Sequence, residues 1–157
     1  MWDAGDLEGA EAVLRGACET LAAGRDAFGV ATLQALRAWL LLRLGRLDEA
    51  TALIDSSSWA WAIPMAQVYW ARARGLALAQ QGDPEQAVGL ALQAIAMLEG
   101  SGDLHSLGDE HENLGRIHEL AGDHEAARES FEQARGFFGE KGCAVCVRRL
   151  SATLAAI

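Results

Sequence analysis

The chain has 157 residues, 51% of them hydrophobic, enough for one domain with a substantial core. Its net charge of −9 argues against a nucleic-acid surface, because phosphate binding needs clustered positive charge. No apolar run reaches membrane-spanning length and no basic stretch leads into an apolar one at the start, while three cysteines, an odd number, point to a reducing, cytoplasmic setting. Alanine and leucine dominate and only two residues are proline, which favours an all-α chain. Lys141 is the single lysine beside many arginines, a bias we read as genome composition and as a hint of a GC-rich bacterium.

One phrase recurs along the chain: a glycine, usually a charged residue next, and an alanine five places after the glycine. It runs Gly5 to Ala10, Gly45 to Ala50, Gly82 to Ala87 and Gly122 to Ala127, with glycines 40, 37 and 40 residues apart. A fixed period of that size marks a repeat architecture. Each phrase lies between two stretches of helical pattern, so it reads as the turn of a helical hairpin. The glycine there takes the left-handed conformation and Asp or Pro opens the next helix.

Taken in order, residues 1 to 6 read as the tail of a helix whose body is missing, which suggests a piece of a longer array. Leu7, Ala10, Leu14, Ala17 and Leu21 share one face of a helix. Asp26 caps the next helix, which runs to about Leu44, and a shorter one follows from Leu47 to about Ser57. The segment from Ser56 to Pro64, with Trp59 and Trp61, is the irregular link behind the 37-residue spacing. Helices are then predicted at about 64 to 81, 84 to 99, 104 to 121 and 124 to 138, capped by Asp83 with Pro84 behind it and by Asp103. Residues 100 to 102 and 139 to 142 read as loops. A last helix near 144 to 156 points Val147, Leu150 and Leu154 inward and Arg148 and Arg149 outward, as the unit that covers the end of a stack.

Small residues also recur around the phrase. Ala17, Ser57, Ala94 and Ala134 stand seven places beyond the phrase alanine, and Ala38, Gly75 and Gly115 stand seven before the glycine. This pattern resembles the tetratricopeptide repeat (TPR), most closely in the fourth copy, with Leu114, Gly115, Ala127, Phe131 and Ala134. The third copy has Ala91 where the family carries an aromatic, and the second has Ala38 for glycine and Ser57 for alanine. The long period is similar to the TPR arrays in the C-terminal regions of bacterial LuxR-type transcriptional regulators and of some nucleotide cyclases. The resemblance implies an all-α, right-handed solenoid of antiparallel helix hairpins with a C-terminal capping helix. It would form a single domain over 1–157, with a partial repeat at 5–25, repeats at about 26–62, 63–102 and 103–140, and the cap at about 143–156.

Stacked hairpins of this kind present a concave face lined by their first helices. The register assigns that face Thr32, Ala35, Trp39, Leu42 and Arg43, then Tyr69, Arg72, Leu76 and Gln80, then Glu112, Arg116 and Glu119. The candidate site is Trp39, Arg43, Tyr69, Arg72, Leu76, Glu112, Arg116 and Glu119, since Tyr, Trp and Arg carry much of the energy at interfaces. The alternative is that Trp39 and Tyr69 pack between helices and Arg72 pairs with Glu112. The lysine and asparagine that grip a terminal carboxylate in chaperone-binding TPR domains are lacking, so chaperone tails are not implied.

Other constellations offer less. Cys143-Ala144-Val145-Cys146 is a C-x-x-C without the α/β setting of a thioredoxin-like enzyme and without a second pair for zinc, so packed thiols starting a capping helix are the plainer reading. His105, His111, His118 and His124 lie among Asp109, Glu110, Glu112 and Glu119. The seven-residue spacing of His111 and His118 does not suit a helical metal site, and half-buried histidines under the final helix are preferred. Trp59, Trp61 and Trp70 read as packed aromatics rather than an exposed patch. No catalytic residue, metal site or cofactor is nominated. The function expected is a non-enzymatic module that binds a protein or peptide, as a scaffold or regulatory part of a bacterial signalling or transcription-regulator protein. A small-molecule sensor and a self-associating module, with a second copy as partner, are the alternatives; neither direct nucleic-acid contact nor a membrane is expected.

Overall fold

The computed structural model describes residues 6–62 and 66–157, without the side chains of Ser58 and Trp61. The expected turn at Gly5 and the link residue Pro64 therefore lie outside the described residues. All regular structure among the described residues is helical. Its α-helices are α1 (Leu7–Ala23), α2 (Ala27–Arg43), α3 (Leu47–Ser56), α4 (Gln67–Gln80), α5 (Pro84–Leu98), α6 (Leu104–Ala121), α7 (His124–Lys141) and α8 (Ala144–Ala156). A 3₁₀ turn at Ser58–Ala62 replaces a longer α3 and forms the irregular link. The chain divides into two compact units, Met1–Ala77 and Leu78–Ile157, with the division inside α4.

Five of the helix starts follow one device. Asp6, Asp26, Asp83, Asp103 and Asp123 stand at N-caps, and each carboxylate accepts the backbone N–H three residues on. Such a bond satisfies one of the donors that a helix leaves open at its first turn. The turns before α3, α5 and α7 contain Gly45, Gly82 and Gly122, all at positive φ as the repeat requires. Before α2 that conformation falls instead on Arg25, at φ 58°. At the other end of unit two, α7 runs on to Lys141 and stops at Gly142 with φ 82°, so the loop expected to begin at Gly139 is helix for three further residues.

In the first unit α1 packs on α2 and α2 on α3. Ala10, Leu14 and Leu40 form a buried cluster there, with Leu7, Leu33, Leu36 and Trp39 against it. In the second unit α5 packs on α6, α6 on α7 and α7 on α8. The phrase alanines Ala50, Ala87 and Ala127 are fully enclosed, as are Ala38, Ala94 and Ala134. Two glycine–phenylalanine contacts set the approach of α6 and α7. A Cβ on Gly115 would stand 2.6 Å from the Phe131 ring, and one on Gly108 would stand 2.8 Å from the Phe138 ring. Gly108 was not visible in the repeat phrase; it is the same contact one heptad earlier. Cys146, Leu150 and Leu154 of α8 join Phe131 and Phe138 in one buried cluster.

Candidate functional site

The residues expected on the binding face are placed here within their own units. In the first unit, Trp39 is partly buried and packs against the α1–α2 cluster, while the Arg43 guanidinium lies 5.0 Å from the centre of its ring. Tyr69 and Arg72 form a second pair of this kind on α4, 5.7 Å apart. Guanidinium over an aromatic face is an attractive electrostatic arrangement that also holds both side chains in place. Arg72 and Leu76 are buried, whereas Tyr69 and Arg43 are only partly so.

In the second unit, Glu112 is buried and gripped from two helices. Arg116, one turn along α6, donates to its Oε1 at 2.7 Å. Arg149 of α8 donates to both oxygens, with Nη2 at 2.6 Å from Oε2. Burial alone would raise the Glu112 carboxyl, but the Arg149 hydrogen bonds and the charges of both guanidiniums prevail and hold it at about 2. Both arginines remain partly exposed around the buried carboxylate. Glu119, at the next expected position, is half-buried at the end of α6.

The structure thus joins Trp39 with Arg43, Tyr69 with Arg72, and Glu112 with Arg116. The carboxylate of Glu112 has Arg149 as a partner, a residue that the helical pattern of the last segment sends outward. Leu150 and Leu154 are buried as expected and Arg148 is exposed, but Arg149 lies at the edge of the apolar stripe and turns back to α6. The signal for it was the buried register itself. Ala35, Arg72 and Glu112 occupy equivalent positions of successive first helices and all are enclosed, so a carboxylate at that place demands a cation from a neighbouring helix.

A comparable arrangement ties α1 to α2. Glu11 is 3% exposed and accepts from Arg37 Nε at 2.7 Å, with Arg15 and Arg46 within 4 Å of its other oxygen. Two histidines of α6 stand against phenylalanines of α7: His111 stacks on Phe137 with centroids 5.2 Å apart, and His105 meets Phe138 edge-on at 5.4 Å. His111 is half-buried as expected, though its neighbour is α7 and not the final helix; burial pushes its imidazole down. No group of three His, Cys, Asp or Glu side chains able to hold a metal occurs among the described residues. Trp70 is fully buried, but Trp59 is 44% exposed, contrary to the packing expected for it. Cys143 and Cys146, read as thiols, are joined in a disulfide.

Two sequence models of the tetratricopeptide repeat match the chain, one over residues 31–56 and 70–93 and the other over 105–134, together just over half of its length. The chain belongs to the tetratricopeptide-repeat family. The three matched TPR segments lie over α2–α3, α4–α5 and α6–α7, in the register of the recurring phrase. No curated protein matches this TPR chain. TPR segments generally mediate protein–protein interaction, and no described helix is long and apolar enough to cross a membrane.

Proposed function

We propose that the chain is a non-enzymatic TPR module that holds a protein or peptide partner on the face formed by the first helices of its hairpins, stacked as a right-handed solenoid. The carrying observation is the pair of aromatic–guanidinium contacts, Trp39 with Arg43 and Tyr69 with Arg72, on two successive first helices. Rigid aromatic and arginine side chains held in this way lose little entropy when a partner arrives, so the partly exposed Trp39, Arg43 and Tyr69 serve as contact residues while buried Arg72 braces Tyr69. Leu76 on α4 supplies apolar backing in the first unit; in the second unit Arg116 and Glu119 are the polar contacts, with buried Glu112 holding Arg116. The long repeat period, similar to that of bacterial LuxR-type regulators, supports a scaffold or regulatory role in a cytoplasmic signalling protein. No cofactor enters this reading.

The test is native mass spectrometry of the protein purified gently from its host, repeated with an Arg43→Ala, Tyr69→Ala variant. A second polypeptide on the unaltered chain, lost by about ten-fold or more in a variant with unchanged circular dichroism, is the expected result. A bound mass of a few hundred daltons supports a sensor instead, and a doubled mass supports pairing with a second copy. Undiminished partner capture by the folded variant overturns the assignment of these residues.

A further inference from the structure

The start of α8 differs from the five aspartate-capped helix starts in one respect. The N-cap residue after the left-handed Gly142 is Cys143, with φ −79° and ψ 81°. Asp123 after Gly122 has φ −90° and ψ 82°, and Asp103 has φ −82° and ψ 76°. At both of those places the carboxylate accepts the N–H three residues on, from Ala126 and Ser106, at 3.0 and 3.1 Å. Cys143 therefore stands at the N-cap position that Asp103 and Asp123 fill with a carboxylate before α6 and α7, and the residue three places on is Cys146, to which it is bonded.

The two sulfurs are unequally enclosed. Cys146 is 3% exposed and belongs to the cluster of Phe131, Phe138 and Leu150. Cys143 lies at the edge of that cluster and is only partly buried, with exposed Ala144 and Val145 beside it. A small molecule approaching the first turn of α8 thus meets Cys143 first. When the bond opens, the Cys143 sulfur is left as an anion at a helix N-terminus, against the N–H groups that stabilise aspartate at the sister sites.

We propose that Cys143 and Cys146 form a thiol–disulfide exchange site for a low-molecular-mass thiol, with Cys143 as the sulfur that exchanges and Cys146 as the one that resolves. A thiolate attacks Cys143 Sγ; the bond to Cys146 breaks, and its electron pair leaves on Cys146 Sγ, which takes up a proton. A second thiolate then attacks the sulfur of the small molecule in the mixed disulfide, releasing Cys143 as the thiolate. Two thiols become one disulfide, and the protein disulfide takes up the two electrons. The reverse sequence oxidises the dithiol. Cys18, buried in α1 with its thiol raised by burial, stands apart as an internal reference.

The test uses the full chain, reduced with dithiothreitol and then treated with iodoacetamide across a pH series, with the label located by peptide mass spectrometry. Cys143 should react at least about ten-fold faster at pH 7 than Cys18, with a midpoint below the value of about 8.5 of a free cysteine. In parallel, a Cys146→Ala chain given oxidised glutathione should accumulate one glutathione on Cys143, while the unaltered reduced chain should pass through that adduct to the internal disulfide. A Cys143 midpoint at or above the free value, or reaction no faster than at Cys18, overturns the proposal. The alkylation series needs no variant, so the proposal stays exposed to refutation even if Cys146→Ala fails to fold.

Discussion

At Glu112 a single carboxylate decides how two arginines are held. Replacing it by glutamine removes the buried charge that Arg116 and Arg149 share, and Glu112→Gln should cost about 2–4 kcal/mol in urea unfolding. The pH dependence has a definite sign. The folded carboxyl is held at about 2 against an ordinary 4.5, so its contribution is full above 4.5 and disappears as pH falls through 2. That shift corresponds to about 3 kcal/mol, and the acid-induced loss in this window should be much smaller in Glu112→Gln. The glycines of the second unit give a second contrast. Gly115→Ala places a methyl 2.6 Å from the fully enclosed Phe131 ring and should destabilise by about 1–3 kcal/mol despite the better helix propensity of alanine. Gly136→Ala, with nothing near its added methyl, should stabilise by about 0.5–1 kcal/mol in the same assay. Equal effects at the two sites would refute the idea that Gly115 is there for close approach.

At the scale of the element, the helices owe their ends to caps and their faces to small residues. Asp123 holds the Ala126 N–H at 3.0 Å, and Asp123→Ala should cost about 1 kcal/mol, read as a lowered urea midpoint with unchanged slope. An unchanged midpoint would show that the cap bond is replaced by water without penalty. Much of this level was legible in the chain: the boundaries of α1, α3, α5, α6 and α8 lie within about two residues of those the pattern predicts, because caps and turn glycines are local devices. The end of α7 was misplaced, since Gly139 looked like a stop although its φ stays helical and Gly142 does the work. The link was recognised as irregular but not as a 3₁₀ turn, because a run of Ser, Trp and Ala carries no period.

At the scale of the whole molecule, the second unit contains its own cluster from Ala127 to Leu154 and its own charged clamp. Residues 83–157 expressed alone should therefore be helical and unfold cooperatively in urea, at a size where a single core is just sufficient. A fragment without a cooperative transition would show that this core is not enough. Repeat chains build stability from each unit and its neighbours, which is why such a fragment is a fair test.

The sequence by itself determined the repeat, the all-α class, the helix order and the small residues that become buried, since all of these rest on spacing within a few turns of the chain. Trp39, Tyr69 and Arg72 could be named from that register. Their exposure could not, and neither could the pairing of Arg43 with Trp39, of Arg149 with Glu112, or of Cys143 with Cys146. Arg149 is the sharpest case: one position on a helical wheel separates an outward arginine from one that reaches 37 residues back to α6. Only the packing of α8 over α7 settles it, because a long charged side chain at the edge of an apolar stripe goes wherever a buried carboxylate needs it.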